Sequence, residues 1–221
     1  MVLNLFSIFD PSTNNFMSLN WLIMFMPLFL LNWPYWLYPS RLSMFWFLMY
    51  NMIFQEFINL SKKKIASNII IFLTIMMLLM VLNLLSLMPY IFTPSSHLSI
   101  NLSLSLSLWM SFMLYGWMIN TNKMFTHLLP MNTPNMLMIF MIMIETISNF
   151  IRPWTLAIRL SANMLAGHLL LSLLGSTLES VPYMILLFLI QNLLIILEIS
   201  VSIIQAYVFA ILTLLYFNES N

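Results

Sequence analysis

Cysteine is absent from this 221-residue chain, and glycine occurs only three times. The lack of cysteine excludes disulfides, thiolate metal ligands and a cysteine nucleophile. Three glycines cannot build a phosphate-binding loop, and neither a dinucleotide-binding fingerprint nor a P-loop occurs in the sequence. We therefore expect no cofactor, no metal ion and no direct nucleotide binding.

Charged residues are scarce as well. Seven Lys or Arg and six Asp or Glu make up 6% of the chain, against about 25% in an ordinary soluble domain. Hydrophobic residues account for 62%, and the mean hydropathy is +0.98. So few charges can neither cover a soluble surface nor form a basic patch for nucleic acid. A soluble enzyme, a disordered chain and a nucleic-acid-binding protein are excluded, and an integral membrane protein is indicated.

The apolar runs predict how the chain crosses the membrane. Five of them are candidate crossing helices, at residues 17–31, 65–88, 98–118, 135–174 and 182–217. A further segment, 41–60, mixes polar and apolar residues and is predicted to lie on the membrane surface as an amphipathic helix. Residues 120–134 are predicted to form a polar loop.

The last two crossing segments are too long to stand upright in a bilayer. As helices they would extend about 60 Å and about 54 Å, against a hydrocarbon core of about 30 Å. The sequence thus predicts an all-α integral membrane protein with a single domain, 1–221. We expect about five crossing helices and one interfacial amphipathic helix, the last two crossing helices being long, steeply tilted and antiparallel.

Leucine and serine alternate over residues 102–107, which is the period of a β-strand. An isolated strand cannot cross lipid, because its backbone groups would have no hydrogen-bond partners. We therefore predict a helix in which the serine hydroxyls bond to carbonyls of the same helix.

The lysines predict the orientation. With five crossings, Lys62, Lys63, Lys64 and Lys123 fall on one side of the membrane, and the other side has no Lys or Arg. Because short loops rich in Lys and Arg stay inside, the N-terminus is expected outside and the C-terminus inside.

Both long segments carry polar residues where an ionisable group costs about 2.5–3.5 kcal/mol at the bilayer centre. On the first, six of them are spaced by three or four positions and share one helical stripe: Glu145, Ser148, Arg152, Thr155, Arg159 and Asn163. Small residues that admit a neighbouring backbone lie beside this stripe: Ser161, Ala162, Ala166 and Gly167.

A second polar stripe runs along the last segment, where Gln191, Glu198 and Gln205 recur at seven-residue intervals. His168, on the first long segment, is about half a turn out of phase with Arg159 and faces away from it. Titratable groups at several depths favour the movement of protons or ions through the membrane.

Each charged residue also has a purely structural interpretation. Arg152 could pair with Glu145 or reach the lipid headgroups, and Arg159 could form a buried ion pair with Glu198. His168 could be a buried histidine with satisfied hydrogen bonds, whereas His97 is predicted to be a solvated loop residue. An arginine with so few local counter-charges also suggests an acid supplied by another chain.

A specific resemblance begins at Arg159, where the sequence reads RLSANMLAGH up to His168. This run resembles the signature of the family of subunit a of the F-type ATP synthase. The run EISVSIIQAYVF, from Glu198 to Phe209, resembles the family's final helix. The run NLFSIFDPS, at residues 4–12, is similar to the animal mitochondrial form.

The resemblance implies a proton-translocating stator subunit of the membrane (Fo) sector, located in the mitochondrial inner membrane. Its partners would be a ring of c subunits, other stator and peripheral-stalk subunits, and lipid. The chain would not itself be an enzyme, since nucleotide catalysis lies on other subunits. The predicted orientation would then place the N-terminus in the intermembrane space and the C-terminus in the matrix.

The resemblance also implies roles for six residues. Arg159 would face the proton-carrying carboxylate of the ring and separate two half-channels. Asn163 and Gln205 would be polar residues near it. Glu198 and His168 would belong to the half-channel from the intermembrane space, and Glu145 would lie near the matrix exit.

Two other functions remain open on the sequence. A self-contained ion-coupled transporter would need a substrate site, usually at broken helices in repeated halves. A structural subunit of a respiratory complex would use its charges only as packing pairs.

Overall fold

A computed structural model describes residues 5–13, 17–30, 37–61, 68–119, 121–128, 135–178 and 184–220. The regular elements of this part of the chain are all helices, which confirms the all-α prediction. The α-helices are α1 (Met26–Leu30), α2 (Arg41–Leu60), α3 (Ile69–Ser86), α4 (Leu98–Ile119), α5 (Thr121–Leu128), α6 (Asn135–Leu178) and α7 (Met184–Ser220). Three short 3-10 helices accompany them, at Leu5–Phe9, Leu19–Phe25 and Pro94–Ser96.

Four helices in the described ranges are long and apolar enough to cross a membrane: α3, α4, α6 and α7. The first predicted crossing, 17–31, contains only the shorter apolar segment Leu19–Leu30, part of it a 3-10 helix. That segment extends about 20 Å, less than the hydrocarbon core of about 30 Å. Five crossings, and the orientation that follows from them, stay predictions. Lys62, Lys63 and Lys64 lie outside the described residues.

The two long helices form the predicted antiparallel pair. The first half of α6 meets the end of α7, where Arg152 forms an ion pair with Glu219. Farther along α6, Gly167 lies against Glu198, which is earlier in α7. With 44 and 37 residues, they extend about 66 Å and about 56 Å. The α6 helix continues through Pro153 and ends at Leu178, four residues beyond the predicted crossing segment 135–174.

The core lies along α7, which packs on α3 and α6. Phe72 and Met76 of α3 are buried against Ala210 and Leu214 of α7. A neighbouring cluster joins Leu156 and Leu160 of α6 to Ala206 and Phe209 of α7. Small alanine side chains at the contact bring the backbones close, as in other membrane helix pairs.

The α2 helix is fixed to this core at its C-terminal half. Phe57 is fully buried in the cluster of α3 and α7, and the Tyr207 hydroxyl of α7 donates to Glu56 at 3.1 Å. Its location on the membrane surface stays a prediction.

The serine-rich helix α4 follows the predicted pattern. The hydroxyls of Ser103, Ser105 and Ser107 donate to carbonyls three residues earlier, at 2.8, 3.3 and 3.0 Å. Each hydroxyl is thereby satisfied within its own helix, as lipid requires.

The prediction of a loop over residues 120–134 is wrong for α5. This helix packs on α4 and α6, with the rings of Trp117 and Phe125 in edge contact at 5.0 Å. The segment is polar overall, so its short apolar side, with Met124 and Leu128, was not recognised in the sequence. That side lines a cavity between α5 and its packing partners.

Candidate functional site

Four of the six predicted site residues line one cavity. The cavity has a volume of about 330 Å³ and lies between α3, α6 and α7. Its polar lining consists of Asn83, Asn163, His168, Glu198, Ser202 and Gln205. We call it the outer cavity, because it lies toward the end of α6 that is predicted to face outside. The sequence placed Asn163 on one polar stripe and Glu198 and Gln205 on the other. It did not single out Asn83 on α3.

Glu198 and His168 are the titratable groups of the outer cavity. The Glu198 side chain is 8% exposed, and its two carboxylate oxygens have no hydrogen-bond partner within the described chain. The same holds for Nε2 of His168. Buried polar groups normally have partners, water included. At about 30 Å³ per molecule the outer cavity has room for several waters, so it can hold a hydrated path for protons.

Gly167 creates the space that the Glu198 carboxylate occupies. A Cβ atom built on Gly167 would lie 2.9 Å from Glu198 Oε1 and 3.0 Å from its Cδ. A side chain at this position would push the carboxylate away from the α6 backbone. The small residue predicted to admit a neighbouring helix therefore admits the acid of that helix.

Replacing Gly167 with alanine should displace Glu198 and slow proton entry several-fold. The carboxylate is the flexible end of a side chain, so it moves instead of the backbone and the complex still assembles. Proton flux through the reconstituted complex in vesicles measures the effect. Gly175→Ala is the matched control, because nothing lies within 4 Å of a Cβ there and both changes favour the helix by about 1 kcal/mol. Equal rates in the two variants would contradict the prediction.

A second cavity, of about 300 Å³, lies between α4, α5, α6 and α7. We call it the inner cavity. Its walls are mostly aromatic and apolar, and its polar residues are Glu145, Asn149, Arg152, Tyr216 and Glu219. Glu145, another of the six predicted site residues, is thus separated from the four that line the outer cavity. Glu198 and Glu219, which mark the two cavities on α7, are about 31 Å apart along the helix.

The interaction partners of Arg152 all line the inner cavity. Its guanidinium donates to Glu219 at 2.7 Å, lies 3.7 Å from Glu145 and stacks over the Tyr216 ring at 5.0 Å. The pairing with Glu145 that the sequence left open is therefore present, with Glu219 as the closer partner. Sequence reasoning missed Glu219, whose only signal was a charge near the end of the last helix.

Arg159 lies between the two cavities and lines neither. It is about 10 Å from Arg152 and about 13 Å from His168 along α6. The side chain is exposed and has no ion pair or hydrogen bond to the described residues. The alternative of a buried pair with Glu198 is wrong, since the Glu198 oxygens have no partner in this part of the chain.

Apolar side chains are exposed next to Arg159 on α6. Ile158 is its neighbour in the chain, and Ala162 lies about one turn farther along. A permanent cation in hydrocarbon needs a counter-charge, because leaving it there without one is costly. Within the described residues no acid forms an ion pair with Arg159.

His97 is not the solvated residue that the sequence predicted. Its ring packs against Trp21 at 5.1 Å and Phe92 at 5.3 Å, and its Nε2 atom is buried. Two aromatic residues distant in sequence from each other form this slot, so the local sequence carried no signal for it.

Comparisons with known proteins agree with the geometry. A model of the family "ATP synthase A chain" matches residues 15–218. A protein of Locusta migratoria named ATP synthase subunit a is 53% identical, over 99% of both chains. Proteins of the same name from Apis mellifera ligustica and Anopheles gambiae are 48% and 50% identical over 100% of this chain, and over 98% and 100% of their own lengths. The chain therefore belongs to the ATP synthase subunit a family.

Proposed function

We propose that the outer and inner cavities are two half-channels that deliver protons to, and remove them from, a ring of c subunits turning against Arg159. Family membership makes the chain the proton-translocating Fo subunit, a multi-pass protein of the mitochondrial inner membrane. The single observation that supports the two-step path is the position of Arg159 between two cavities that each contain a glutamate. Arg159 is exposed and has no ion-pair partner in the described chain.

Protons enter from the intermembrane space through the outer cavity. His168 and Glu198 pass them to a carboxylate of the ring, with Asn163 and Gln205 orienting water beside it. The neutral carboxyl can then turn through lipid, because desolvation penalises the charged form. After nearly a full turn it reaches the inner cavity, where Glu145 receives the proton on its way to the matrix.

Arg159 prevents a direct leak between the cavities. Its fixed positive charge repels protons, and a guanidinium does not deprotonate at any relevant pH. Each proton that crosses 100 mV delivers about 2.3 kcal/mol, and a leak would release that energy without turning the ring. A purely structural subunit would pair this arginine within its own chain, as it does Arg152.

The rest of the assignment follows from this path. Nucleotide catalysis lies on other subunits, and other stator and peripheral-stalk subunits hold the chain against the ring. The N-terminus lies in the intermembrane space and the C-terminus in the matrix, which puts Glu145 and the inner cavity on the matrix side.

Cysteine cross-linking tests the contact with the ring, and the absence of native cysteine leaves no background from this chain. Ala162→Cys, on the exposed face one turn from Arg159, should form a disulfide with a cysteine placed beside the ring carboxylate. Ala157→Cys on the same helix is the matched control, because Ala157 is 0% exposed. Oxidation of the intact complex should cross-link only the first variant. Failure of Ala162→Cys to cross-link in an assembled complex would place the ring elsewhere.

A further inference from the structure

We propose that His97, together with Ser95, is a further proton-carrying site on the outer side, which collects protons and passes them to the outer cavity. The inference rests on the proposed function, because it extends the entry path that begins at His168 and Glu198. It concerns the loop between α3 and α4, which contains the 3-10 helix Pro94–Ser96.

The His97 imidazole is enclosed by aromatic rings. Trp21 lies 5.1 Å away and Phe92 5.3 Å away, and these two rings meet edge to face at 5.5 Å. The Nε2 atom is buried without a hydrogen-bond partner in the described chain.

Ser95 supplies a second buried polar atom without a hydrogen-bond partner in the described chain. Its side chain is 3% exposed, and its hydroxyl has no hydrogen-bond partner within the described ranges. The neighbouring polar groups are satisfied: Asn101 donates to the Ser95 carbonyl at 2.7 Å, and the Thr93 hydroxyl donates to that of Ser96 at 2.9 Å. Two buried polar atoms without partners, two residues apart in one loop, are suited to hold a water molecule.

The loop lies beside the outer cavity. The Ser86 hydroxyl, at the end of α3, contacts Met164 Sδ at 3.6 Å, and both Met164 and Leu87 line that cavity. The chain enters the loop directly after Leu87, and Pro94–Ser96 packs against α6. The loop that carries His97 therefore follows directly on a residue of the outer cavity and packs on the helix that carries His168.

The surroundings of His97 leave its charge uncompensated. The elements packed on the loop are α3, α4, α6 and Leu19–Phe25, and α3, α4 and Leu19–Phe25 contain no Asp, Glu, Lys, Arg or other His. On α6 the titratable and charged groups are His168 and Arg159 on the outer part, and Arg152 and Glu145 on the inner part. Within the described residues no carboxylate forms an ion pair with His97, so the proton can leave again.

The proton step is a simple exchange. A water molecule held beside Nε2 and the Ser95 hydroxyl receives a proton from the outer aqueous phase and, as hydronium, passes it to Nε2. The hydronium becomes water again, and the ring becomes imidazolium. The imidazolium then gives one proton to water of the outer cavity and returns to the neutral form. Histidine suits this task because it gains and loses a proton in the physiological pH range.

The test is ATP synthesis by the complete complex in vesicles, with the outer pH varied at constant driving force. His97→Gln keeps a polar side chain but cannot carry a proton, and we expect the rate to fall several-fold at outer pH of about 8 and hardly at all at about 6. His97→Phe preserves the packing against Trp21 and Phe92 and should show the same pH dependence, which keeps the test valid if the glutamine variant fails to assemble. Ser95→Ala should show a smaller loss of rate with the same dependence on outer pH.

Ser103→Ala is the control, since the Ser103 hydroxyl bonds to Ile100 of its own helix and its loss should leave the profile unchanged. An unaltered profile in both His97 variants, or a loss equal at every pH, would overturn the role of His97. Glu198→Gln, assayed in parallel, separates this failure from that of the proposed function. If Glu198→Gln slows synthesis and the His97 variants do not, only the His97 site is wrong, whereas normal rates in all three would reject the outer path itself.

Discussion

Replacing Arg159 with alanine should reduce proton-driven ATP synthesis to background while the complex still assembles. Two unit charges at about 4 Å attract by about 4 kcal/mol at an effective dielectric of about 20. That energy changes the equilibrium for proton release from a ring carboxylate by about a thousandfold. Without it the carboxyl keeps its proton and the ring does not advance. Synthesis rates of purified, reconstituted complexes measure the loss, and subunit composition measures assembly.

Two further variants make the Arg159 result specific. Arg159→Lys keeps a cation but should still be strongly impaired, because the pKa of a lysine moves readily on burial whereas guanidinium stays charged. Arg41→Ala removes one positive charge from the exposed start of α2, and we expect it to synthesise ATP normally. Normal coupling in Arg159→Ala would refute the role of this residue in the ring contact.

The double variant His168→Ala, Glu198→Gln should slow proton entry by about tenfold or more, which corresponds to about 1.4 kcal/mol or more in the barrier. Both groups line the outer cavity, and both present buried atoms without hydrogen-bond partners in the described chain. Removing both leaves the outer cavity without a titratable side chain. Passive proton flux through the Fo sector in vesicles is the direct measurement.

Ser200→Ala is the matched control for this double variant. Ser200 lies two residues, about half a turn, from Ser202, which lines the outer cavity. Ser200 is exposed, and its hydroxyl donates to the Leu197 carbonyl at 2.6 Å. Its flux should equal that of the unmodified complex. Unchanged flux in the double variant would show that protons enter by a different route.

The local chemistry of the helices followed from sequence because it depends on neighbours three or four positions away. The serines of α4 bond to their own helix, as lipid demands. The polar stripes on α6 and α7 were visible in the same way, and the outer cavity collects Asn163 and His168 from one helix and Glu198 from the other.

Contacts between distant segments could not be predicted in this way. Arg152 pairs with Glu219 as well as with Glu145. Arg152 and Glu219 are separated by 67 positions along the chain. The burial of His97 depends on Trp21, which comes from a different apolar segment. Asn83 lines the outer cavity from α3, where it is one of three polar residues in an otherwise apolar helix.

Composition and periodicity alone determined that this chain is a helical membrane protein with costly charges on two long helices, because insertion energies and the helical repeat are local properties. Only the tertiary structure decided which charges are neutralised within the chain. Arg152 meets two carboxylates in the inner cavity, whereas Arg159 faces outward without a partner in the described residues. The physical reason is that a charge is neutralised by whatever lies within a few ångströms of it, and the antiparallel packing of α6 on α7 sets that distance.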